Sequence, residues 1–111
     1  MGQHLPGVRC SRAVMDGELT IRQGTREWQS PLMDVSLSGV RARLPVAFDL
    51  GRESAAELEI RGPRGEYVLA WAKLARLSDE TAAFRFDRLS APSEARLREL
   101  IKHGRLYDHF D

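Results

Sequence analysis

The feature that most restricts the possible folds of this chain is a series of short segments in which apolar and charged side chains alternate, with turn residues between the segments. Residues 40–44 alternate apolar side chains with arginine, and residues 56–60 alternate alanine, leucine and isoleucine with glutamate. A two-residue period places successive side chains on opposite faces of a β-strand. Residues 61–65, Arg-Gly-Pro-Arg-Gly, form the strongest turn pattern in the chain. The pattern therefore predicts a protein built mainly from short antiparallel strands.

Six segments have the length and composition of strands: residues 17–22, 28–35, 40–44, 56–60, 67–77 and 82–86. Only the end of the chain changes period, because Leu97, Leu100 and Ile101 have the spacing of one helical face. Ser90 or Ser93 is expected to cap this helix, with Gly104 following its end. The sequence thus predicts an all-β fold, a six-stranded antiparallel β-barrel or a sandwich, with one C-terminal α-helix.

A single domain is expected, because 111 residues can bury one hydrophobic core. We divide it into an N-terminal arm (1–15), the barrel (16–89), the helix (90–103) and a tail (104–111). The formal net charge of +1 does not favour binding to long nucleic acids. Without a membrane-spanning apolar run or a signal pattern, we expect a cytoplasmic protein, or the cytoplasmic domain of a larger membrane protein.

Residues for catalysis or metal binding are not grouped in this sequence. Cys10 is the only cysteine, so it is interpreted as a free thiol in a reducing compartment. His4, His103 and His109 lack the spacing of metal ligands. No Ser/His/Asp or Cys/His set comes together on the predicted fold, and we expect neither an enzyme nor a metalloprotein.

Two features suggest a site for a small anionic ligand. Arg9 and Arg12 lie in a segment with no acidic residue, and Asp34, Ser36 and Gly39 form an Asp-x-Ser-x-x-Gly pattern. Arginine forks bind phosphate bidentately, whereas a carboxylate and a hydroxyl accept hydrogen bonds from ligand N–H groups. The Asp-x-Ser-x-x-Gly pattern on its own is also consistent with a simple turn, in which Asp34 and Ser36 cap local amides.

Together, the paired arginines and the Asp34-x-Ser36-x-x-Gly39 pattern resemble the PilZ domain, a family that binds the bacterial messenger cyclic di-GMP. The resemblance runs from about Val8 to the final helix and implies a barrel of PilZ type. It implies these cyclic di-GMP-binding residues: Arg9, Arg12, Asp34, Ser36 and Gly39. Arg41 and Arg43 share one face of the next predicted strand, so they are either an extension of this site, for which Arg41 is the candidate, or part of a solvated barrel face.

The family assigns a role to each matching position. The arginines would hold phosphate and guanine, Asp34 and Ser36 would hold a base edge, and Gly39 would shape the turn. Asp34 is expected at a turn outside the core. The family's arm reads Arg-x-x-x-Arg, but Val8 occupies the first arginine position, so Arg9 would have to replace it.

The large aromatic residues are assigned to packing. Trp28, Phe84 and Phe86 are expected in the core. Trp71 could offer a stacking surface for a base, but a tryptophan within a long strand more often packs inside, and we assign it there.

The resemblance implies a regulatory domain that transmits the messenger level to a partner domain or protein. Motility, exopolysaccharide synthesis such as that of cellulose, and biofilm formation are the implied outputs. The alternative is a PilZ-like protein-interaction module that does not bind the ligand. Val8 supports this alternative, as does the apolar tail with Leu106, Tyr107 and Phe110.

Overall fold

The computed structural model describes residues 12–107, which form eight strands and one helix. In chain order these are β1 (Arg12–Val14), β2 (Glu18–Gln23), β3 (Arg26–Val35), β4 (Gly39–Arg43), β5 (Ala55–Arg61), β6 (Tyr67–Leu77), β7 (Thr81–Arg88), α1 (Ala91–His103) and β8 (Arg105–Tyr107). The six longer strands coincide with the six predicted segments, and their ends differ from the prediction by only a few residues.

The six longer strands close into a barrel. They pair antiparallel in the order β2-β5-β6-β7-β4-β3, and β2 pairs again with β3. This confirms the predicted six-stranded antiparallel barrel with one C-terminal helix. Outside the ring, β1 pairs with the end of β3, and β8 pairs with β1.

The two short strands were not predicted. β1 lies in the predicted arm, and β8 lies in the predicted tail. Each has 3 residues, too few to show a two-residue period. Only their pairing partners reveal them as strands, and that information is not local in the sequence.

The barrel interior is filled by the inward positions of the alternating strands. The fully buried residues at these positions include Leu19, Ile21, Val40, Ala42, Leu58, Ile60, Val68 and Leu74. Phe84 lies among them, and Trp28 and Phe86 pack half-buried against them, in agreement with the prediction for these aromatic residues. Trp28 also meets Phe48 edge-on, with 5.0 Å between ring centroids.

The prediction that Trp71 lies in the core is wrong, because this residue is 56% exposed. Ala70 and Ala72 take the inward positions of β6 on either side of it. The two-residue period therefore turns the indole outward. Tyr67 and Leu69 occupy the preceding outward positions and are each 39% exposed, so the three side chains form an apolar stripe along β6.

Helix α1 packs one face onto the barrel. The Ser90 hydroxyl accepts from the N–H of Ser93 at 3.2 Å, which makes Ser90 the N-cap. Leu97 and Leu100 are buried in the core cluster. The Ser93 hydroxyl donates to the carbonyl oxygen of Leu69 at 2.7 Å and thereby ties the first turn to β6. Within residues 12–107 no helix is long and apolar enough to span a bilayer.

Candidate functional site

The β3–β4 connection is a tight turn held by two serine hydroxyls. The N–H of Ser36 donates to the carbonyl oxygen of Gly39 at 2.8 Å. The N–H of Ser38 donates to the Ser36 hydroxyl at 3.2 Å, and the two hydroxyl oxygens lie 3.0 Å apart. Ser36 is almost fully buried. The Ser36 hydroxyl therefore stabilises the turn by accepting a hydrogen bond, and it lies beneath the surface of the turn.

Gly39 is required by its neighbour on β7. It is the register partner of Arg85, and a Cβ at position 39 would collide with the carbonyl oxygen of Phe84. The N–H of Phe86 donates to the carbonyl oxygen of Ser38 at 2.9 Å and holds the two segments together. Gly39 does not adopt a positive φ. Close strand approach, rather than the predicted shaping of the turn, therefore explains glycine here.

The expected position of Asp34 is wrong. The residue lies in β3 rather than at a turn, and its side chain is 3% exposed. A bulge in the β3–β4 register between Leu32 and Asp34 makes Asp34 the partner of Arg41. The motif spacing located Asp34 near the turn, but it could not reveal this bulge or the strand β1 that covers the other side.

Asp34 is held between two arginines, which with it form what we call the Asp34 cluster. Arg12 Nη1 donates to Oδ1 of Asp34 at 2.8 Å. Nε and Nη2 of Arg41 both donate to Oδ2, at 3.1 and 2.6 Å. The structure thus brings together Arg12, Asp34 and Arg41, which the sequence had placed in three separate segments.

The cluster presents positive charge to solvent. The side chains of Arg12 and Arg41 are 38% and 43% exposed, whereas the carboxylate between them is buried. Two guanidinium groups and one carboxylate leave one net positive charge. Guanidinium groups suit phosphate because their planar forks match its oxygens. The residues present therefore fit an anionic ligand that also carries hydrogen-bond donors for Asp34.

Arg9 and Arg43 are two further arginines near this site in the sequence. Arg9 lies outside the described residues, as do Val8 and Cys10, so the arm prediction stays a prediction. Arg43 is exposed at the end of β4, and no ion pair links it to another residue of the described range. Among the β4 arginines, Arg41 alone reaches Asp34.

Arg85 is a surface cation beside the site that the sequence reasoning missed. It is the register partner of Gly39, and its exposed side chain pairs with Glu53 at 3.0 Å. Its alternation with Phe84 and Phe86 in the predicted last strand could have identified it as outward-facing. Only the β4–β7 register, however, places it next to the Ser36–Gly39 turn.

A second charged cluster lies on β2, β5 and β6. Glu59 is 8% exposed and is paired with Arg22 and, at 3.1 Å, with Arg61. The hydrogen bond from Arg22 holds the pKa of the Glu59 carboxyl below its ordinary value. The guanidinium of Arg61 also lies 5.2 Å from the ring centroid of Tyr67. This cluster joins three strands and is a structural feature of the barrel wall.

Groups of three or more metal-binding side chains do not occur within residues 12–107. The described residues thus form a six-stranded antiparallel barrel that carries an arginine-flanked carboxylate beside the β3–β4 turn. The model of the PilZ domain family matches residues 8–103 of this chain. The chain belongs to the PilZ domain family, whose members are regulatory domains that generally bind cyclic di-GMP.

Solved structures share this fold. The inhibitor of motility MotI/DgrA of Bacillus subtilis superposes with a TM-score of 0.71 at 16% identity, over 85% of this chain and 49% of its own length. This chain therefore spans about half the length of that protein. The PilZ domain of YcgR from Escherichia coli with c-di-GMP gives 0.71 at 20% identity, over 82% of this chain and 86% of that domain.

The PilZ domain of CeSA from a cellulose-synthesizing bacterium gives a TM-score of 0.68 at 14% identity, over 82% of this chain and 94% of that domain. No curated protein matches the sequence. At these identities the superpositions establish the fold, and the family match establishes membership.

Proposed function

We propose that this chain is a cyclic di-GMP receptor domain that transmits the messenger level to a partner domain or protein. The Asp34 cluster is the observation that carries the proposal. It combines a buried acceptor, two partly exposed guanidinium groups and an adjoining glycine turn, and all three lie beside the β3–β4 connection. The YcgR domain of the same fold was solved with this ligand, which adds support.

Each residue has a role that its chemistry allows. Arg12, together with Arg9 from the arm, binds phosphate and guanine through its fork. Asp34 accepts hydrogen bonds from the N1–H and N2–H donors of a guanine edge, and Ser36 supports the turn beside it. Gly39 keeps β4 close to β7, so the turn presents its backbone to the ligand. The domain binds and regulates, and it catalyses no reaction.

The output belongs to a partner. The solved relatives include a motility inhibitor and a domain from a cellulose-synthesizing bacterium. We therefore propose motility, exopolysaccharide synthesis or biofilm formation as the controlled process, with the domain in the cytoplasm. Contact of the arm arginines with the ligand would change the surface that the partner contacts.

Isothermal titration calorimetry with cyclic di-GMP tests the proposal directly. Cyclic di-AMP and GTP are the controls, because each shares only part of the ligand's chemistry. We expect saturable heat with cyclic di-GMP and none with cyclic di-AMP. The absence of heat at ligand concentrations up to the high micromolar range would overturn the proposal.

A protein-interaction module that does not bind the ligand is the second candidate. Both carboxylate oxygens of Asp34 already have charged partners, and the stripe of Tyr67, Leu69 and Trp71 offers exposed apolar surface. On this alternative, Arg12→Ala and Asp34→Asn leave the cellular output intact, whereas changes on the tail or on the helix surface abolish it. The opposite pattern supports the receptor.

A further inference from the structure

Arg41 occupies Oδ2 of the Asp34 carboxylate with two donors of one planar group, and a guanine edge bound to Asp34 would need the same oxygen. Its Nε and Nη2 atoms both donate to Oδ2, at 3.1 and 2.6 Å. Guanine likewise offers two parallel donors, N1–H and N2–H, on one planar edge. Since Arg12 already donates to Oδ1, a second planar fork cannot bind Asp34 fully while Arg41 stays in place.

We propose that Arg41 is an intramolecular competitor of the ligand's guanine, which the base must displace from Asp34. This inference rests on the proposed function, because it presupposes cyclic di-GMP as the ligand. It changes the expected role of Arg41 from an attractive extension of the site to a group that sets the threshold for binding. If a contact must be broken before the ligand binds, the apparent affinity is the intrinsic affinity multiplied by the fraction of molecules in which that contact is open.

Arg41 is the partner able to move. Its side chain is 43% exposed, so the guanidinium can turn into solvent at little desolvation cost. Asp34 is fixed, because its backbone is paired on both sides, with Val14 of β1 and with Arg41 of β4. Arg12 keeps its separate contact with Oδ1 during the exchange. The carboxylate therefore stays in position and exchanges one fork for another.

This exchange also provides selectivity. A guanine edge replaces both hydrogen bonds that Arg41 gives up, so little is lost at the acceptor. Adenine has an acceptor at N1 and no N2 amino group, so it cannot replace that fork. A site that must give up a charge-assisted contact rejects ligands that leave its buried acceptor without compensation. Arg41 thus sharpens the discrimination between guanine and adenine dinucleotides.

Arg41→Lys is the decisive variant, because lysine keeps the positive charge and loses the planar fork. We expect calorimetry to show cyclic di-GMP binding about three- to tenfold tighter than in the parent, equivalent to part of one charge-assisted contact. Arg43→Lys on the same strand is the matched control and should bind like the parent. Thermal melts of all three proteins show whether folding is preserved.

The outcomes separate the two proposals. If the parent binds and Arg41→Lys binds equally or more weakly, the competitor role is wrong and the receptor function stands. If neither protein binds cyclic di-GMP, the receptor function fails and the competitor role fails with it. If Arg41→Lys does not fold, the nitrogen-15 NMR signal of the Arg41 Nε–H in the parent decides. If saturation with cyclic di-GMP moves this signal away from the chemical shift of a carboxylate-paired guanidinium, the ligand displaces Arg41 from Asp34. An unchanged signal overturns the proposal.

Discussion

A buried carboxylate between two arginines makes single substitutions in the Asp34 cluster act on stability as well as on binding. The Asp34 side chain is 3% exposed, so an oxygen that loses its partner has little access to water. Leaving a buried charged acceptor unpaired costs about 1–3 kcal/mol or more. The arginines are partly exposed and can be hydrated after Asp34 is removed. Loss of Arg12 is therefore expected to lower the free energy of unfolding by more than is usual for a partly exposed residue.

The arm arginines provide the residue-scale prediction. Arg9→Ala and Arg12→Ala should each weaken cyclic di-GMP binding by more than about tenfold, the loss of one charge-assisted contact near 1.5 kcal/mol. Val8→Arg restores the family spacing and should strengthen binding or rescue Arg9→Ala. Calorimetry measures the affinities, and a melt of each variant separates lost binding from lost folding. If Arg9→Ala binds like the parent while Arg12→Ala does not, Arg9 does not replace the missing arginine.

Among the secondary-structure elements, β4 and β7 lie unusually close at the start of β4. Gly39 faces the carbonyl oxygen of Phe84, and the neighbouring Ser38 carbonyl accepts from Phe86. This contact sets the height of the β3–β4 turn above the barrel, and hence the position of Ser36 beside Asp34. The geometry of the site therefore depends on a backbone contact with a strand that contributes none of the predicted ligand-binding residues.

Gly39→Ala tests that dependence. Its Cβ would meet the Phe84 carbonyl, so the strands must separate, and we expect a loss of about 1–3 kcal/mol in the free energy of unfolding, together with weaker ligand binding. Gly51→Ala is the control, because an added Cβ there would be 3.6 Å from Ser54 Oγ, an ordinary contact, with an expected change within about 0.5 kcal/mol. Urea denaturation measures both. Equal stability of the two variants would contradict the close approach.

Local periodicity predicted the six barrel strands and the helix, because each has enough residues to show its own repeat. It failed where long-range pairing decides the outcome, as for the three-residue strands β1 and β8 and the bulge before Asp34. The assignment of Trp71 to the core failed because hydrophobicity was weighed above the alternation of Ala70 and Ala72. The motif identified Asp34, but only the strand register showed both arginines meeting on its carboxylate.

Across the whole molecule, the barrel wall is tied together by the charged cluster around Glu59. Its partners Arg22 and Arg61 come from β2 and from β5 itself, and Tyr67 of β6 lies over Arg61. The pKa of Glu59 lies below its ordinary value because Arg22 donates to its carboxylate. The ionised form is thus favoured in the folded protein, so the cluster stabilises the barrel most above the ordinary glutamate pKa.

Glu59→Gln should accordingly destabilise the protein in a pH-dependent manner. The stability contributed by Glu59 is present above the pKa of an unfolded-state glutamate, and it is lost as the pH falls through the lowered folded-state value. Parent and variant should therefore differ in urea midpoint at about pH 7 and converge as the pH falls through that lowered pKa. Glu80→Gln, at an exposed loop position, is the control. A midpoint difference that does not change with pH would contradict the role of the ionised carboxylate.

The pairing of β1 with β8 has a mechanical consequence. Arg12 lies opposite Tyr107, and Gly104 lies so close to β1 that an added Cβ would come within 2.7 Å of the Ala13 side chain. Because β1 and the segment after helix α1 are closely packed, a displacement of β1 also displaces that segment. We therefore expect β1, which carries Arg12 of the Asp34 cluster, and β8, which follows the helix, to move together. A ligand contact that displaces Arg12 is thus expected to move β8 as well.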